Sequence, residues 1–193
     1  MHGLRCTPSL LGWTRLLDEW VVGLVRYNRE SLSDPVCWQD RARTLDTLAD
    51  AATRARSFAY RESDVSPTVP GPDGMLRFEL QGLPYVVACR QQWIETPAAL
   101  QASGSAWLEE ALQTASQAAE RSDVPVGLLF VTPRLSPGLS TAERLELAEK
   151  LVSESRCLPA SACAFSFPDP GETDRYRYTN AEYPGGMLLV KTA

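Results

Sequence analysis

Catalysis by an acid, base or nucleophile needs particular side chains within reach of one another, and this chain is short of them. It holds one histidine, His2, and two lysines, Lys150 and Lys191. That scarcity argues against Ser-His-Asp and Cys-His catalysis, histidine-rich metal sites and most lysine chemistry. The remaining nucleophiles stand in unhelpful surroundings. Cys89 ends the apolar run that starts at Tyr85, where a thiol is expected to stay protonated and inert. Ser136 belongs to Leu-Ser-Pro-Gly-Leu, which is not the G-x-S-x-G elbow of a hydrolase. Gly71-Pro-Asp-Gly74 has the spacing of a turn and not of a phosphate-binding loop, which disfavours a nucleotide-dependent reaction. The expectation is a chain with no cofactor and no bound metal.

The elements that must position any site are legible in the hydrophobic pattern. Leu10, Trp13, Leu17, Trp20 and Leu24 recur at three- and four-residue steps, with Leu16, Val21 and Val25 widening the stripe, so residues 9–28 read as an amphipathic helix. Asp34-Pro35 reads as an N-cap and first-turn proline of a second helix reaching about Ser57. Residues 61–74 are dense in proline and glycine and read as a loop between a helical part, 1–60, and a mixed-sheet part, 75–193. Leu76, Phe78 and Leu80 alternate with Arg77 and Glu79 as in a half-buried strand, Gln81-Gly82 makes a turn, and 85–89 is a buried strand. A helix is expected from Ser105 to about Arg121, a strand over Val126–Val131, and a helix opened by the capping box Ser140-Thr-Ala-Glu143. Ala162–Phe167 is the next strand, and Tyr176–Thr179 with Gly186–Lys191 read as a closing hairpin. The order α-α-β-β-α-β-α-β-β-β implies an α/β protein, a mixed sheet with helices packed on it, forming a single domain.

Composition bounds the partners. The chain has 193 residues, of which 44% are hydrophobic and 22% charged, as in a folded soluble protein. A net charge of −5 makes nucleic acid and anionic membranes poor partners. No apolar run approaches the roughly 20 residues of a membrane span, and the first thirty residues lack a signal-peptide layout. The five cysteines, Cys6, Cys37, Cys89, Cys157 and Cys163, form no C-x-x-C pair and read as scattered thiols in a reducing cytoplasm.

Ligands of open α/β sheets bind outside the carboxyl ends of parallel strands. Here that rule collects Arg90, Gln91, Gln92 and Trp93 after one strand, Thr132, Arg134 and Ser136 after the next, and Asp169, Glu172 and Asp174 after a third. Trp13, Trp20 and Trp107 read as core anchors and Trp38 lies on the apolar side of the second helix, whereas Trp93 beside arginine and amides has the composition of a binding hot spot. A second aromatic and basic cluster is Tyr176-Arg177-Tyr178. The run of helix, hairpin, helix and strand over about 45–167 resembles, in order of elements, the restriction-endonuclease-like PD-(D/E)xK fold. The resemblance implies an acid from the hairpin, here Asp73 or Glu79, and Glu-x-Lys on the following strand, the carboxylates holding a metal that activates water. That strand reads Ala88-Cys89-Arg90: the second ligand is missing, and an arginine that does not deprotonate replaces the lysine. The resemblance thus implies a metal-dependent nuclease or its inactive descendant acting through Asp73, Glu79 and Arg90. The reading favoured by the scarcity of catalytic residues is different: a non-enzymatic protein that binds a protein partner, such as an inhibitor, an immunity protein or an accessory subunit of a complex. Its contact residues are Arg90, Gln92, Trp93, Thr132 and Arg134.

Overall fold

The computed structural model describes residues 1–30, 41–55, 58–61, 75–136, 138–167, 177–178, 181–182 and 185–193. Among these, seven strands form one mixed sheet: β1 (His2–Cys6), β2 (Phe58–Arg61), β3 (Met75–Leu80), β4 (Leu83–Ile94), β5 (Val124–Pro133), β6 (Ala162–Ser166) and β9 (Gly186–Thr192). Their order across the sheet is β1-β6-β9-β5-β4-β3-β2. A separate two-stranded ladder joins β7 (Arg177–Tyr178) to β8 (Ala181–Glu182). The helices are α1 (Thr14–Glu30), α2 (Arg41–Arg54), α3 (Pro97–Ala118) and α4 (Thr141–Ser155).

Strand alternation splits the apolar residues between two faces, each covered by a pair of helices. Leu76, Phe78, Val87, Leu128, Phe130 and Leu188 point to α1 and α2, where they meet Trp13, Leu16, Trp20, Leu24, Leu45 and Leu48. Leu129, Val131, Leu189 and Cys163 point the other way, onto Leu100 and Leu108 of α3 and Ala148 and Leu151 of α4. Two of the expected anchors, Trp13 and Trp20, are fully buried, whereas Trp107 is only partly so. Trp13 is closed off between Phe78 and Tyr85, both rings edge-on at 5.3 Å. Trp20 lies on Phe130 at 5.9 Å and donates its indole N–H to Thr47 Oγ1 at 3.0 Å. Glycine is required at Gly127, where α3 lies so close that an added Cβ would stand 2.5 Å from the Leu112 amide nitrogen.

The β4-α3-β5 step is parallel and β3-β4 is a hairpin, as expected. Gln81 and Gly82 both take positive φ, 55° and 78°, the conformation of a two-residue primed turn. Ser140 and Glu143 form the reciprocal capping box that opens α4. The Ser140 hydroxyl, donating to Glu143 Oε2, and after it the Ser140 amide hold the Glu143 carboxyl below its ordinary range.

Several boundaries differ from the sequence expectation. The first helical stretch is a 3-10 helix over Pro8–Trp13 that kinks at Leu10 before α1 begins. The start of the second helix at Asp34-Pro35, Trp38 and its end near Ser57 lie outside the described residues, which pick up α2 at Arg41. α3 starts at Pro97 and not at Ser105: Thr96 is in extended conformation at the N-cap and Pro97 takes the first helical position, where its missing N–H costs nothing. The expected closing hairpin does not form between 176–179 and 186–191. β7 pairs with β8, and β9 enters the middle of the sheet antiparallel to both β5 and β6. Strands β1 and β2 add to the expected set.

Candidate functional site

β4 is the element that decides the geometry of the rim. It runs on through the polar stretch 90–93 to Ile94, because β5 pairs with it along its whole length, from Tyr85 opposite Val124 to Ile94 opposite Pro133. The expectation that Arg90, Gln92 and Trp93 follow the strand, turned outward by irregular backbone, is therefore corrected. They lie within it, and its pleat sends alternate residues to opposite faces.

Arg90 and Gln92 share the face of Ile94, toward α3. The Arg90 guanidinium is engaged there by the Glu110 carboxylate. Gln91 and Trp93 share the face of Cys89, toward α2, and Gln91 accepts a hydrogen bond from Thr44 Oγ1 at 3.4 Å. Thr132, level with Trp93 on β5, is 1% exposed and belongs to the interior. Trp93 is 47% exposed. Arg134 is exposed just past β5, and its amide donates to Ile94 O at 2.7 Å, which ties the two strand ends together. Of the five expected contact residues, Trp93 and Arg134 thus present side chains to solvent from one stitched corner, Arg90 and Gln92 flank α3, and Thr132 is packed.

Sequence reasoning missed two residues at the same rim. β1 runs antiparallel to β6 with His2 opposite Ser166 and Gly186 of β9 beyond it. One step past the Val131–Met187 pair, Gly186 is level with Thr132. His2, Ser166, Gly186, Thr132 and Trp93 therefore form one row across five strands on the α1/α2 face, spanning roughly 19 Å at about 4.8 Å per strand. The next row inward is Leu4, Ala164, Leu188, Phe130 and Gln91, apolar except at its last member. His2 Nδ1 and Ser166 Oγ are 3.0 Å apart. A single N-terminal histidine carried no sequence signal for this contact, since its partner lies 164 residues away.

Of the residues in the endonuclease-like reading, Glu79 and Arg90 can be placed, and they stand apart. Glu79 is exposed and stands opposite Pro84, six residues along β4 from Arg90, which is roughly 20 Å at about 3.3 Å per residue. Asp73 lies outside the described residues, as do Asp169, Glu172, Asp174 and Tyr176; Arg177 and Tyr178 form β7. Among the described residues, no three His, Cys, Asp or Glu side chains converge as a metal site requires.

No family model, curated protein or solved structure matches the chain. Among the described cysteines, Cys6, Cys89, Cys157 and Cys163 are thiols, and burial pushes Cys6 and Cys163 up from the ordinary thiol range, away from nucleophilic thiolate. Among the described residues, no helix is long and apolar enough to cross a membrane.

Proposed function

We propose that the protein is non-enzymatic and works by binding a protein partner at the corner formed by Trp93 and Arg134, as an inhibitor, immunity protein or accessory subunit does. The observation that carries this reading is the half-exposed indole of Trp93 on a strand that β5 pairs to its end. A large aromatic held on a paired strand loses little conformational freedom on binding, and tryptophan and arginine are among the residue types enriched at interface hot spots. The Arg134 backbone is held at the same rim by its amide bond to Ile94 O. Thr132, level with Trp93, and Gln91, two residues before it, lie on the same face but are buried and are not themselves contact groups. Free thiols are consistent with a reducing compartment, and we place the encounter in the cytoplasm.

The test is differential capture. Immobilised wild-type protein, Trp93→Ala and Arg134→Ala are exposed to the same native extract, and bound proteins are quantified by mass spectrometry. A protein retained by the wild type and depleted on both variants supports the reading. Capture profiles identical for all three sink it. A melting temperature raised several degrees by Mg²⁺ or Mn²⁺ and restored by Glu79→Ala would favour the nuclease reading instead, since a native-state ligand at a hundred times its dissociation constant adds about 2.7 kcal/mol.

A further inference from the structure

Among the described residues, β1 is the outermost strand on its side of the sheet. Phe167 N–H donates to Met1 O and Thr7 N–H to Ser161 O, both at 2.8 Å, so the odd residues turn their amides and carbonyls toward β6. Leu4 and Cys6 turn theirs away from β6, to a side where the described residues place no further strand. Two devices that blunt such an edge are not found within β1 itself, which pairs without a bulge and contains no proline. Its one charged side chain does not guard the edge, because Arg5 reaches across the α4 face to Ser155 O at 3.4 Å.

We infer that this edge pairs with the same edge of a second copy, antiparallel about a two-fold axis at Leu4, to give one continuous sheet through the dimer. The sequence His-Gly-Leu-Arg-Cys is self-complementary in that register. Leu4 meets Leu4 of the other copy, His2 meets Cys6, and Arg5 meets Gly3, so no like charges are opposed. The helices fit as well. α1 packs on β1 and β6, so across the two-fold axis the α1 axes fall about two strand spacings apart, roughly 10 Å, the ordinary distance between packed helices. Its α2 side is occupied, with Arg54 against Gly23 and the Glu19 carbonyl. The opposite flank carries Val21 and Val25, both only half-buried. Because α1 packs on β1 and β6 while α2 packs on β2, β3 and β4, this valine flank faces the two-fold axis and its equivalent on the other copy.

Light scattering on the full chain is expected to give twice 21.3 kDa. The register is read by His2→Cys under mild oxidation. A hydrogen-bonded antiparallel pair has Cα atoms about 5.5 Å apart, within disulfide range, so the introduced thiol is expected to bond to Cys6 of the other copy, mapped by peptide mass spectrometry and lost on adding Cys6→Ser. Should His2→Cys fail to fold, Val21→Glu is read by light scattering: a folded monomer supports the interface and an unchanged dimer overturns it. A wild-type monomer at every concentration, or a dimer without the His2→Cys to Cys6 crosslink, overturns it too.

Discussion

Trp20→Ala tests whether α1 is built into the core or lies loosely on it. The indole is 1% exposed, rests on Phe130 and bonds to Thr47. A buried tryptophan removes about 150–250 Å² from water; at about 25 cal/mol per Å², cutting it back to a methyl loses about 3–5 kcal/mol, the range of measured large-to-small core changes. The lost hydrogen bond adds little, because Thr47 Oγ1 keeps its donation to Thr44 O at 2.7 Å and is not orphaned. For a chain of this size, each kcal/mol moves the melting temperature about 2–4 °C, so Trp20→Ala is expected to melt roughly 6–20 °C below wild type. Trp20→Phe keeps most of the packing and should lose about 1–2 kcal/mol. Urea unfolding followed by far-ultraviolet circular dichroism reads both without relying on the tryptophan itself. If Trp20→Ala unfolds at the wild-type midpoint, α1 contributes no core and the two-face packing described above is wrong.

Three further changes probe separate elements. Gly127→Ala drives a methyl into the α3 backbone at Leu108 and Leu112, which cannot yield as a side chain does, and should lose about 1–3 kcal/mol by calorimetry. Ser140→Ala removes the N-cap of α4 and should lose about 1 kcal/mol in urea titration; an unchanged midpoint would mean the capping box is idle. Asp123 is held below the ordinary carboxylate range by the Glu120 amide first and by Arg77 second. With the folded value depressed, its stabilisation is fully present above about pH 4 and disappears as pH falls through the folded value. Asp123→Asn should therefore narrow its deficit against wild type on acidification below about pH 4, and a deficit independent of pH would remove Asp123 from the account.

Local signals read correctly where the physics is local. The alternation of Leu76, Phe78 and Leu80, the Gln81-Gly82 turn and the Ser140–Glu143 box each depend on neighbours a few residues apart, and each formed. β1 was illegible because five residues with a glycine and an arginine become a strand only by pairing with β6 at the other end of the chain. β9 was legible as a strand but not in its place, since an apolar run does not reveal which two strands will flank it. The rim failed for a subtler reason. Arg90-Gln91-Gln92-Trp93 looks like a loop by polarity, yet it is strand, its polar groups answered in turn by Glu110 on one face and Thr44 on the other. The exposed member, Trp93, was identified from its neighbours, whereas Thr132 beside it reads the same in sequence and is closed over.

The central claim is that Trp93 and Arg134 form the binding corner, and calorimetric titration of the captured partner tests it most directly. Central tryptophan and arginine contacts commonly cost about 2 kcal/mol or more on truncation, so Trp93→Ala and Arg134→Ala should each raise Kd at least about thirtyfold. Because neither side chain fills the core, the melting temperatures should stay close to wild type. Wild-type affinity in both variants, or a loss of affinity matched by unfolding, contradicts the account.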